Sequence, residues 1–167
     1  MYQTIIQDNF FQNPYEIIEI SKKLKFYPPN KKENFAGTRT KSLHKTHKEL
    51  YLKIISNVVG NYYFNKKVNF TDTTVHFSKI KKKDKGRTHI HYDKDCEIAS
   101  VVYLSKGAID SGTTLYNKNN QKQIIVSNDF NSLVSYDGSK LHGATNLDLL
   151  EERLTINIFI GKVIIVS

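Results

Sequence analysis

Among its 167 residues the chain has one cysteine (Cys96), three prolines, one methionine and no tryptophan. A single cysteine excludes an intramolecular disulfide and any cysteine-rich zinc site, so nothing here demands an oxidising compartment. No stretch reaches the roughly 18 uninterrupted apolar residues of a membrane span. Met1 to Phe11 also lacks the basic-then-apolar layout of a signal peptide. These absences predict a soluble, unprocessed, cytoplasmic protein. No internal repeat, low-complexity tract or Pro/Gly/Ser linker divides the sequence, and its 39% apolar content suffices for one core. Residues 1–167 are therefore read as a single domain.

Arginine is scarce as well, with only Arg39, Arg87 and Arg153. The net charge of +9 is almost all lysine, and it is lopsided: residues 1–90 carry 18 basic against 7 acidic side chains, residues 91–167 carry 7 against 9. A basic first half offers a positive face to an anionic partner. Phosphate recognition usually recruits arginine forks beside lysine point charges, and a lysine-, asparagine- and isoleucine-rich composition also arises from codon bias alone, so a nucleic-acid partner is the less favoured reading.

Asn13-Pro14 opening Tyr15 to Leu24, before Pro28-Pro29, predicts an N-capped helix with a first-turn proline. His44 to Val59, with Leu50, Ile54 and Val58 near helical spacing, predicts a second, with Gly60 as its C-cap. From Val68 the texture changes to short β-branched and aromatic runs: Val68 to Ile80, His89 to Tyr92, Ala99 to Leu104, Thr113 to Tyr116, Gln123 to Ser127, Leu133 to Tyr136 and Leu154 to Ile160. The expectation is a mainly β, α+β fold. It has helical support over about residues 1–67 and a jelly-roll core over about 68–167, with the helices on one outer face.

In Thr88-His89-Ile90-His91-Tyr92-Asp93, an extended chain puts His89, His91 and Asp93 on one face. A histidine and an aspartate two residues apart suit one metal ion. A distant third ligand would complete a 2-His-1-carboxylate triad, which leaves positions open on iron(II) for a 2-oxo acid and O2. His142, followed by the small Gly143, is the candidate. Arg153 then heads the apolar strand Arg153 to Ile160. Inside a barrel its fork needs a carboxylate partner, which a dicarboxylate cosubstrate supplies. Thr155, on the same face, adds a hydroxyl.

The pattern H-x-D, a later H, and R-x-S/T resembles the Fe(II)/2-oxoglutarate oxygenases of the prolyl-4-hydroxylase-like branch, including small bacterial and phage members. Ala99 to Ser105 and Ser111 to Tyr116 look like that family's "apolar-Y-L-N" strand and "G-G-T" turn. Asn34 to Thr40 is similar to a "P-G-x-R-T" segment, with Ala36 in place of the proline. The resemblance covers about residues 86–160. It implies a double-stranded β-helix (a cupin-like jelly roll), with metal ligands His91, Asp93 and His142, and Arg153, Tyr103 and Thr155 on the far carboxylate of 2-oxoglutarate. The implied cofactors are Fe(II), 2-oxoglutarate and O2. It implies a dioxygenase that releases succinate and CO2 while hydroxylating an amino-acid side chain, free or in a peptide or protein. The family motif has one residue between histidine and aspartate, which selects His91 over His89.

Two rivals stand beside it. A nucleobase demethylase of the AlkB type would carry a second arginine six residues after the first, where this chain has Phe159. A non-catalytic metal- or anion-binding jelly roll would be expected to have lost one of the four residues. The small chain leaves a small-molecule substrate open, and either a monomer or a homodimer. His89 is read as a packing or supporting residue, His44 and His47 as solvated helix surface, and His76 as either structural or near the substrate. Cys96 is read as a small buried residue, and Lys79 to Arg87 as a solvated connection or a flap.

Overall fold

The computed structural model describes residues 2–31, 33, 35–87, 90–105, 107, 111–147 and 151–166, with backbone alone at 85–87. Asn13 caps the first helix, α1 (Pro14–Lys22), by accepting from the Glu16 N–H at 3.4 Å, with Pro14 where no N–H is needed. The second, α2 (Lys48–Tyr62), differs from expectation at both ends. Leu43–Lys45 forms a separate 3-10 turn, because the N–H groups of Thr46 and His47 both return to the Leu43 carbonyl (3.1 and 2.7 Å). Gly60 lies inside the helix instead of capping it. The buried stripe Ile54, Ile55, Val58 and Val59 continues to Tyr62, whose hydroxyl reaches Gln3 O (3.0 Å) and Ser135 Oγ (2.9 Å).

Among the described residues ten strands follow the chain: β1 (Ile5–Gln7), β2 (Phe26–Tyr27), β3 (Thr38–Thr40), β4 (Val68–Lys81), β5 (Ile98–Tyr103), β6 (Thr113–Tyr116), β7 (Lys122–Val126), β8 (Leu133–Asp137), β9 (His142–Ala144) and β10 (Glu152–Ile165). Seven form one sheet, in the order β1-β8-β5-β10-β4-β3-β2, and three form the other, β7-β6-β9; every pairing is antiparallel. The fold is the expected mainly β jelly roll with helices on one outer face. Two- and three-residue strands such as β1, β2, β3 and β9 are too short to display a period, so they escaped the sequence pattern. Of the expected strand His89 to Tyr92, only His91 makes a ladder bridge; His89 and Thr88 lie outside the described residues.

Strand β10 sits at the centre of the large sheet, between β4 and β5. Its alternation divides the molecule. Leu154, Ile156, Ile158 and Ile160 face outward with Val75, Phe77, Ile98 and Val102, and pack on Ile17 of α1 and Ile54, Ile55 and Val58 of α2. Arg153, Thr155, Asn157 and Phe159 face the other sheet and line a cleft there. A smaller core of Val101, Tyr103, Leu115, Val126, Val134 and Tyr136 closes the space between the sheets.

Ile158 is wholly buried at the centre of the helix-facing core. Ile158→Ala is expected to cost about 3 kcal/mol of stability. In urea unfolding the midpoint should fall while the slope stays unchanged; a loss below about 1 kcal/mol would mean that this face is not the main core.

Candidate metal and cosubstrate site

His91 and His142 are tied together through their backbones, each N–H donating to the other's carbonyl (2.9 and 2.8 Å). The His91 segment thus extends the small sheet beside β9. Two residues on, the Asp93 N–H donates to Gly138 O at 3.0 Å, which pins the extended chain a second time. The period of two then puts both side chains on the side where His142 lies. The ligand atoms of His91, Asp93 and His142 all lie within 4.8 Å of one another, and no other such His/Cys/Asp/Glu group is found among the described residues.

The charges in this triad are unresolved by protein alone. His142 Nδ1 lies 2.9 Å from the Lys140 carbonyl, an acceptor that needs the proton on Nδ1, so a neutral ring turns its Nε2 lone pair toward Asp93. Burial, the largest influence on His142, lowers its pKa and favours that neutral form, although Asp93 opposes it. Nε2 stands 3.4 Å from Asp93 Oδ2, and His91 Nε2 stands 3.8 Å from Oδ1. Oδ2 is buried with no hydrogen-bond partner among the described residues. Two acceptors therefore face each other, an arrangement that a cation relieves. Tyr136 backs the site, its ring 4.8 Å from that of His142. His91, half-buried, is the most exposed of the three and marks the mouth.

Across the cleft, Arg153 is 4% exposed, and its Nε and Nη1 have no hydrogen-bond partner among the described residues. Burial pulls its pKa below the usual arginine value, yet a guanidinium keeps its charge at neutral pH. Its head lies 5.2 Å from the centre of the Tyr103 ring. The Tyr103 hydroxyl, kept protonated by burial, donates to Thr113 Oγ1 at 2.7 Å. Thr155 pairs with Tyr103 across the ladder, and its hydroxyl donates to Asn157 Oδ1 at 2.8 Å. A cleft of about 750 Å³, open mouth included, is lined by Arg153, Thr155 and Thr113 and by His91 and His142. Its donor set fits a metal ion at one end and a carboxylate at the other.

Sequence comparison places the chain. Residues 2–129 match DUF6445, a family of unknown function. The chain belongs to that family. No curated protein is similar in sequence. Solved structures of like architecture include a Trichoplax adhaerens prolyl hydroxylase in complex with a hypoxia inducible factor peptide (14% identity, TM-score 0.67, 94% of this chain and 82% of that one). Streptomyces hygroscopicus HygX, with nickel, 2-oxoglutarate and hygromycin B bound, is 10% identical (TM-score 0.66, 95% and 82%). A prolyl 4-hydroxylase structure from Phytophthora capsici is 15% identical (TM-score 0.66), and this chain, 94% covered, spans 58% of its length. The fold is the one that these 2-oxoglutarate/Fe(II) oxygenase structures share.

Other sequence candidates lie elsewhere. His76 shares the inner face, but its Nδ1 is 2.8 Å from the Thr40 carbonyl. His44 and His47 sit on the 3-10 turn and before α2, not on a helix surface, and His44 Nδ1 meets Ser42 Oγ at 3.0 Å. Lys79 and Lys81 belong to β4, and the connection proper is a 3-10 segment, Lys82–Arg87.

The cleft also contains Ser78, Tyr136, Asn157 and Arg39, none of them chosen from the sequence. Asn157 was legible in principle, as the third polar residue at alternate positions of an apolar strand. Cys96 donates its thiol to Ile98 O at 3.1 Å, and burial raises its pKa to about 12. A thiol with a raised pKa is mostly protonated near neutral pH and reacts correspondingly slowly. Native Cys96, only partly buried, is expected to alkylate with iodoacetamide at pH 8 at least about tenfold more slowly than in urea, measured by mass spectrometry; equal rates would contradict the protection of its thiol.

Proposed function

We propose that the chain is an Fe(II)- and 2-oxoglutarate-dependent dioxygenase that hydroxylates a C–H bond of an amino-acid side chain, free or within a peptide or protein. The observation that carries this reading is a pair of unmet demands at one cleft: the unpartnered Asp93 oxygen beside His91 and His142, which line it, and the unpartnered Nε and Nη1 of buried Arg153. HygX, with nickel and 2-oxoglutarate bound, and the peptide-bound prolyl hydroxylase support it as proteins of the same fold.

In this reading His91, Asp93 and His142 hold the metal from one side, leaving the cleft side for the cosubstrate. The Lys140 carbonyl fixes the His142 tautomer, so Nε2 is ready to ligate without proton rearrangement. Arg153 pairs with the far carboxylate of 2-oxoglutarate, the Tyr103 hydroxyl turns from Thr113 to donate to it, and Thr155 offers a further donor. When bound, the metal with 2-oxoglutarate and O2 supplies the oxidising chemistry: oxidative decarboxylation to succinate and CO2, with an oxygen atom delivered to the substrate. The protein supplies geometry and keeps water from the far end, where Tyr103 and Arg153 are buried.

Anaerobic addition of Fe(II) and 2-oxoglutarate is expected to produce a weak visible charge-transfer band in the wild type and none in Asp93→Ala. A metal-loaded wild type without the band would leave a metal-binding jelly roll. His142→Ala should abolish 2-oxoglutarate turnover with an unchanged circular dichroism spectrum, and retained turnover would refute its role. For Arg153→Leu, the 2-oxoglutarate requirement should rise about 100-fold, as expected for losing a charge-assisted bidentate pair; an unchanged requirement would remove Arg153 from the site.

A further inference from the structure

Arg39 is a second arginine in the same cleft, and neither the metal triad nor the 2-oxoglutarate end uses it. Gly37 brings it there. At φ +74°, a side chain on Gly37 would put its Cβ 2.0 Å from the Lys79 carbonyl, so only glycine lets the chain close onto the edge of β4. Thr38 and Arg39 then pair with Lys79 and Ser78. Arg39, Ser78, Thr155 and Tyr103 stand in one cross-strand row on the inner face, which sets Arg39 three strands, about 14 Å, from Tyr103. Its guanidinium lies over the Phe35 ring at 4.2 Å and near the Phe159 ring at 5.5 Å. Nε is buried without a hydrogen-bond partner, and among the described residues no carboxylate comes close enough for an ion pair; Glu33 is exposed, and Asp93 acts only at longer range.

Charge makes the gap specific. A divalent metal, Arg39 and Arg153 carry four positive charges against one negative, Asp93. 2-Oxoglutarate removes two and leaves one, at Arg39. Two aromatic rings orient a guanidinium by its faces and leave its N–H edge to a planar, bidentate acceptor. The cleft must hold 2-oxoglutarate as well, so the part of a substrate that enters it is small.

We propose that Arg39 is the substrate anchor, binding a carboxylate of an amino-acid-sized group and holding it over the metal end of the cleft. The proposal rests on the oxygenase reading and narrows its substrate to carboxylates. Phe35 and Phe159 position the anchor. The carboxylate belongs either to a free amino acid or to an acidic side chain of a peptide.

Both sources are separable with protein loaded anaerobically with Fe(II) and 2-oxoglutarate. The probes are the twenty L-amino acids, their amides, a capped peptide containing Asp and Glu, and a single-stranded oligonucleotide; the readouts are displacement of the charge-transfer band and the thermal midpoint. At least one free acid, or the capped acidic peptide, should shift both. The corresponding amide (for the peptide, its Asn/Gln counterpart) should bind about 10- to 100-fold more weakly. Response to free acids alone assigns a small-molecule substrate, and response to the peptide alone a protein one. Arg39→Gln should bring acid binding down to the amide's level, with Arg39→Lys intermediate. Equal response to acid and amide in the wild type, response only to the oligonucleotide, or no response overturns the anchor and leaves the oxygenase reading standing. Absence of the band itself overturns both.

Discussion

Strand β10 must satisfy two environments at once, and the molecule is arranged around that demand. Its odd positions from 153 to 159 face a cleft and its even positions face the helices, a division that the pleat enforces with no freedom to shift. A slip of one residue would turn Ile156 and Ile158 into the cleft and Arg153 into the helix-facing core. Pairing on both edges, to β4 over most of its length and to β5 over its first half, makes such a slip costly, because every ladder bond would have to move with it.

The polar groups of the cleft are held by that rigidity. Arg153 stays buried, its Nε and Nη1 without an acceptor among the described residues, because its strand cannot leave the sheet, and β5 and the facing β6 bring Tyr103 and Thr113 within reach of the same space. At the other end a paired backbone bridge does the same for His91 and His142, pressing an imidazole lone pair against a carboxylate oxygen. Both ends therefore store an electrostatic deficit that the packing of apolar faces sustains. A cation and an anion bound as proposed would relieve it.

Arg39 belongs to the same scheme from a third direction. The position six residues after Arg153, which would be arginine in a nucleobase demethylase, is Phe159, and the Arg39 guanidinium arrives near that ring from β3. A positive charge is thus present in the region, delivered by an edge strand whose approach depends on Gly37.

The meeting of His91, Asp93 and His142 and the burial of Arg153 were legible in the residues because local period and order carry them: His91 and Asp93 share a face by alternation, and Arg153 sits at an inward position of an apolar strand. The jelly roll was legible from its strand-length apolar runs, and α1 from its Asn13-Pro14 cap. The ends of α2 were not, since Leu43 captures two N–H groups in a 3-10 turn and Tyr62 finds partners on β8 and near β1 that no helical period encodes. Short strands were not legible either, for β1, β3 and β9 exist only because longer partners offer free edges. By itself, then, the sequence determined the type of each long element and the chemistry of its faces. Only the tertiary structure decided which faces meet, and so joined Arg39 to a site whose other members begin some fifty residues further along the chain, because antiparallel pairing brings together residues by ladder position and not by distance in sequence.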